Sequence, residues 1–140
     1  MLKHAYQLAA ESLMSVKQVL VVDDDPVQRF IALKQLKILG METQSATNGK
    51  EAVALTSQHK FDLILMDVQM PVMDGLEATH KIREQNGGSA IPIVAFTANP
   101  NRNMCFEAGM SDYLFKPVMI SELKRILGRW MPSSPPTSSS

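Results

Sequence analysis

One cysteine, Cys105, stands in the whole chain, so no internal disulfide can form. A lone thiol points to a reducing compartment, where it serves as a small buried apolar group. No apolar run approaches the ~20 residues that cross a bilayer, and the N-terminus shows no basic stretch followed by an apolar signal core. Membrane insertion is not expected, and a cytoplasmic location is. Charge of one sign is also lacking, since 14 Lys and Arg balance 14 Asp and Glu. Without a basic excess, direct binding to nucleic acid is not expected. The three histidines, His4, His59 and His80, are isolated and show no metal-ligand spacing, so none reads as a ligand or a phosphodonor.

The 140 residues that remain to be explained are 45% apolar and 20% charged, a balance that suits one globular domain with a single core. Residues 1–17 carry Leu2, Ala5, Leu8, Ala9 and Leu13 at helical spacing and predict a linker or packing helix. Residues 132–140 are Pro/Ser-rich, with nothing apolar to bury, and predict a disordered tail. Residues 18–131 form the working domain.

Five short aliphatic or β-branched runs recur there, at 18–22, 41–46, 61–66, 91–96 and 111–115. Amphipathic segments separate them, and strand alternating with helix predicts a parallel sheet with helices on both faces. The first, third and fourth runs are almost continuously apolar, as central strands are. Asp25 and Pro26 predict a first helix start, with Val27, Phe30, Ile31, Leu33, Leu36 and Leu39 as its apolar stripe and Gly40 as its end. Asn48 predicts the cap of a second helix with Ala52, Val53 and Leu55 inward. The Asp74-Gly75 turn precedes a third with Leu76, Ala78, Thr79 and Ile82, and Ser121 is the predicted cap of the last, which carries Leu123, Ile126, Leu127 and Trp130.

In such a sheet, ligands bind beyond the carboxyl ends of the strands. The first run ends in Asp23, Asp24 and Asp25, the third in Asp67, the fourth in Thr97 and the fifth in Lys116. Asp23, Asp24 and Asp67 would repel one another, because two such charges ~4 Å apart cost about 4 kcal/mol at an effective dielectric near 20. A hard cation such as Mg²⁺ relieves that, using carboxylate, water and phosphate oxygens. Lys116 and the Thr97 hydroxyl are placed to stabilise charge on a transferring phosphoryl group. Asp67, ending the central run, is the candidate nucleophile, since a carboxylate can form an acyl phosphate.

At these residues the sequence resembles the receiver domain of bacterial response regulators and hybrid sensor kinases, over Gln18 to about Trp130. The resemblance lies in VLVVDDDPVQR, DLILMDVQMPVMDG, IVAFTAN and AGMSDYLFKP taken together. It implies a flavodoxin-like, doubly wound α/β fold with strand order 2-1-3-4-5. It further implies that Asp67 is the phosphoacceptor, that Asp23 and Asp24 form the acidic pair, and that Gln69 lends a backbone carbonyl to Mg²⁺ or Mn²⁺. Thr97 and Lys116 match the family's switch hydroxyl and lysine, and Tyr113 its aromatic switch. Gln69 and Asn99 match positions that tune phosphoryl lifetime. The implied donor is a histidine kinase or a histidine phosphotransfer protein. With no second domain following, the signal is expected to leave by protein contact.

One segment departs from the family pattern. Between Thr97 and Ala108 the chain is a few residues shorter than usual and carries Pro100, which predicts a short or displaced fourth helix and an altered output face. Two other readings stand beside the phosphoacceptor: an interaction module of the same fold that is never phosphorylated, and an aspartyl phosphatase. The first gives no reason to crowd carboxylates. The second needs a carboxylate two residues after the nucleophile, where this chain has Gln69.

Overall fold

A computed structural model describes residues 16–85, 90–98 and 101–132. Residues 1–15 of the N-terminal helix expected over 1–17, all of the expected tail except Pro132, and Asn99 lie outside the described residues; Val16 and Lys17, which are described, are not helical. Among the described residues, five strands alternate with five helices: β1 Gln18–Val22, α1 Pro26–Ile38, β2 Glu42–Ala46, α2 Gly49–Gln58, β3 Leu63–Met66, α3 Gly75–Glu84, β4 Ile93–Thr97, α4 Arg102–Glu107, β5 Asp112–Phe115 and α5 Ile120–Trp130. The strands form one parallel sheet in the order β2-β1-β3-β4-β5. The expected architecture and strand order are both present.

Alternation along the strands divides the core into two layers. Val19, Val21, Leu63, Leu65, Val94 and Phe96 face α1 and α5, meeting Ala32, Leu36, Leu123, Ile126 and Leu127. Leu20, Val22, Ile64, Met66, Ile93 and Ala95 face the other way, against Ala52, Ala78, Ile82 and Cys105. Every residue of β3 and β4 is buried, as the continuous apolar runs predict. Burial of such aliphatic side chains, each contributing about 1.5–3 kcal/mol, holds the sheet together. The Cys105 thiol is buried in the second layer, as expected.

Two local expectations fail. Val27 and Phe30 are not part of the inward stripe of α1; they are 63% and 59% exposed. The inward face is built on Ala32 and Leu36, four residues apart, and at about 100° per residue Val27 and Phe30 fall on the far side of the helix from them. Ser121 does not cap the last helix. Met119 holds that place with extended backbone and no side-chain cap. Burial of Val118 and Leu123 sets the start of the helix, and it outweighs a cap worth about 1 kcal/mol. Asp25 and Asn48 cap α1 and α2 as expected, and Asp74, in the expected turn before α3, caps that helix; each accepts from backbone N–H groups in the first turn. The fourth helix is short, as its sequence predicts: α4 has six residues.

Candidate functional site

The site lies where β1, β3, β4 and β5 end. Parallel pairing carries it, because each strand continues its neighbour's ladder by one residue. The Asp23 amide donates to the Ala46 carbonyl at 3.1 Å, the Asp67 amide to the Val22 carbonyl at 2.9 Å, and the Lys116 amide to the Thr97 carbonyl at 3.0 Å. Asp23, Asp67 and Thr97 are thereby drawn into the protein and are all buried, whereas Asp24 stands exposed at the rim. Asp23 is held twice more. Its Oδ1 accepts from the Asp25 amide at 2.9 Å, and its carbonyl accepts from Arg29 Nη1 at 2.7 Å.

The carboxylates of Asp23, Asp24 and Asp67 present oxygens within 4.8 Å of one another. Lys116 bridges the two buried ones, its Nζ 2.9 Å from Asp23 Oδ2 and 3.2 Å from Asp67 Oδ2. The same ammonium lies 5.1 Å from the centroid of the Phe96 ring. The Lys116-Pro117 peptide bond is cis. Burial raises the Asp67 carboxyl to about 7, an effect that Lys116 opposes and Asp23 reinforces. Burial pulls Lys116 down, but Asp23 and Asp67 outweigh it and hold the ammonium above its ordinary value. Three carboxylates against one ammonium leave a net negative pocket of hard oxygen donors, which fits Mg²⁺.

Gly75 brings the third strand's loop close. Its amide donates to the Val68 carbonyl at 2.8 Å, and a Cβ there would stand 2.0 Å from the Asp67 carbonyl oxygen. Only glycine permits that approach. Val72, in the same loop, is 78% exposed and has φ of 72°, a conformation rare for a β-branched residue.

Five of the expected residues therefore gather at one sheet edge: Asp23, Asp24, Asp67, Thr97 and Lys116. Gln69 is two residues beyond Asp67, and lines a cavity of about 200 Å³ with Asp74, Asn101, Met104 and Cys105. Asn99 lies outside the described residues. Tyr113 sits on β5, half-buried, on the α4 side of the sheet. Arg29 and Gly75 have roles that the sequence reading did not assign. The Asp-Gly pair marks a turn, but nothing local shows that the turn presses on Asp67.

The family model of the response regulator receiver domain matches residues 19–128. This chain belongs to that family. Among curated proteins, this receiver domain is 38% identical over 116 residues to the hybrid signal transduction protein dokA of Dictyostelium discoideum. It is 40% identical over 114 residues to the sensor protein EvgS of Escherichia coli K12. Those alignments cover 82% and 79% of the chain but only 7% and 9% of the two relatives. Among solved structures it resembles the receiver domain of sensor histidine kinase PA1611 from Pseudomonas aeruginosa PAO1, which has a magnesium ion coordinated in its active-site cleft. The TM-score is 0.80 at 41% identity, covering 85% of this chain and 100% of that one. It also resembles the receiver domain of Ssk1 from Saccharomyces cerevisiae, crystallised with the histidine phosphotransfer protein Ypd1. There the TM-score is 0.74 at 33% identity, covering 82% and 88% of the two chains. No helix among the described residues is long and apolar enough to cross a membrane.

Proposed function

We propose that Asp67 is the phosphoacceptor of this receiver domain and that a phosphohistidine on a histidine kinase or a histidine phosphotransfer protein is the donor. The observation that carries this reading is the Asp23–Asp24–Asp67 cluster bridged by Lys116. An ionised Asp67 oxygen attacks phosphorus, the P–N bond to the donor imidazole breaks, and the imidazole nitrogen leaves with the bonding pair and takes up a proton. Mg²⁺, which Asp23, Asp24, Asp67 and the Gln69 carbonyl would hold, supplies positive charge for the phosphoryl oxygens. Lys116 exchanges its contact with Asp67 for one with a phosphoryl oxygen, and the Thr97 hydroxyl donates to another. Burial of Asp67 keeps bulk water from the acyl phosphate. Gln69 and Asn99 match the family positions that tune how fast water reaches it.

In this reading the chain is a signalling phosphoacceptor rather than an enzyme that turns over a substrate. Movement of Thr97 towards the phosphoryl group and a turn of Tyr113 convert the charge change into a new protein-binding surface. The Ssk1 receiver's complex with Ypd1 supports a histidine phosphotransfer protein as donor, and the magnesium in the PA1611 receiver supports the cation. Incubation with acetyl phosphate or phosphoramidate and Mg²⁺, followed by intact-mass measurement, tests the proposal. One phosphoryl mass is expected on the native chain and none on Asp67→Asn. No added mass, or mass that survives that substitution, would overturn it.

A further inference from the structure

The short α4 meets the sheet through an aromatic clasp. Arg102, the first residue of α4, sets its guanidinium carbon 4.6 Å from the Tyr113 ring centroid. Phe106, one turn later on the same helix, meets Tyr113 edge-on, with centroids 6.4 Å apart at 78°. Phe115, two residues further along β5 and on the same face, also stands nearly perpendicular to the Tyr113 ring, at 5.5 Å and 85°. Tyr113 is thus held by a cation over its face and by two rings set nearly perpendicular to its own, arrangements that are each attractive. Arg102, Phe106 and Phe115 are themselves exposed. Packing against the core therefore does not fix them; they hold Tyr113 and Tyr113 holds them.

The location makes the clasp consequential. Tyr113 pairs with Ala95 in the β4–β5 ladder and Phe115 pairs with Thr97. The clasp therefore sits one strand away from the hydroxyl that the proposed mechanism moves. α4 itself begins five residues after Thr97, and only Cys105 of that helix is fully buried. A six-residue helix has little hydrogen bonding of its own to resist displacement. Its position and the side-chain state of Tyr113 are thus set together.

We infer that Arg102 is a positioning residue for the switch: with Phe106 it clasps Tyr113 in the unphosphorylated chain, and release of that clasp accompanies the response to phosphorylation. The inference rests on the phosphoacceptor reading for its trigger, while the clasp stands on the geometry alone. Loss of an exposed cation–π contact changes the ratio of held to released Tyr113 by roughly two- to fivefold.

Tyrosine-selective ¹³Cζ labelling of the full chain gives only two signals, Tyr6 and Tyr113, and Tyr6→Phe assigns them. In the untreated chain, Arg102→Ala should move the Tyr113 signal towards its position in the native chain treated with beryllofluoride and Mg²⁺, and Arg102→Lys should move it less. The variant should still gain one phosphoryl mass from acetyl phosphate. If Arg102→Ala leaves the untreated Tyr113 signal in place, the clasp is refuted. If the native chain takes up phosphoryl mass but beryllofluoride leaves the Tyr113 signal unmoved, the switch role is refuted and the phosphoacceptor stands. If no phosphoryl mass is gained at all, the proposed function falls and takes the trigger with it.

Discussion

The Cβ that Gly75 lacks would stand 2.0 Å from the carbonyl oxygen of Asp67. This contact joins the start of α3 to the residue proposed to accept the phosphoryl group. Gly75→Ala must push the loop and the Asp67 backbone apart, and overpacking of this kind costs about 1–3 kcal/mol or more. The variant should unfold at lower urea concentration, by at least that amount, and take up phosphoryl mass from acetyl phosphate more slowly than the native chain. A variant with native stability and rate would show that the loop yields freely.

In the absence of divalent cations, the stability of the chain should depend on pH through Asp67. Its folded-state value, about 7, lies above the ordinary 3.8, so the folded state binds the proton more tightly than the unfolded state. That contribution is complete below the ordinary carboxylate range and is lost as pH rises through about 7. Urea titrations in a chelator should therefore show stability falling between roughly pH 4 and pH 7. In Asp67→Asn, most of that fall should vanish.

Lys116 supplies the positive charge facing Asp23 and Asp67, so Lys116→Ala leaves two buried carboxylates uncompensated. Breaking a buried pair in this way costs about 3 kcal/mol. The chain should remain folded by circular dichroism in Mg²⁺, because the cation takes over the neutralisation. Saturating Mg²⁺ should raise Tm in the native chain and raise it further in Lys116→Ala. Equal rises would mean that the ammonium and the cation act independently.

Val72 holds a left-handed conformation, with φ of 72°, on an exposed loop tip. A β-branched residue there costs roughly 1–2 kcal/mol, while asparagine tolerates it. Val72→Asn should stabilise the chain by about 1 kcal/mol in urea denaturation without changing its circular dichroism.

The sheet is legible in the sequence because its signals are local. Aliphatic runs long enough for one strand, separated by capped amphipathic segments, admit few packings other than a parallel sheet covered on both faces. Asp25, Asn48 and Asp74 likewise announce helix starts by chemistry that acts within three residues. The errors occur where a local signal competes with a distant one. Ser121 looked like a cap, but the buried positions of Val118 and Leu123 decided where α5 begins. Of the α1 stripe, Ile31, Leu33, Leu36 and Leu39 do meet the core, whereas Val27 and Phe30, on the far side of the helix from Ala32 and Leu36, stay exposed.

Residue type and spacing along the chain are enough to give the order of the elements, the presence of Asp23, Asp24, Asp67, Thr97 and Lys116 at strand ends, and the short segment after Thr97. Tertiary structure alone decided that Lys116 bridges Asp23 and Asp67, that Gly75 presses on the Asp67 carbonyl, and that Arg102 and Phe106 close on Tyr113. Those contacts join residues brought together by the ladder register and by the turn after β3. A difference of one residue in register would separate them, and register is set by the packing of the whole sheet.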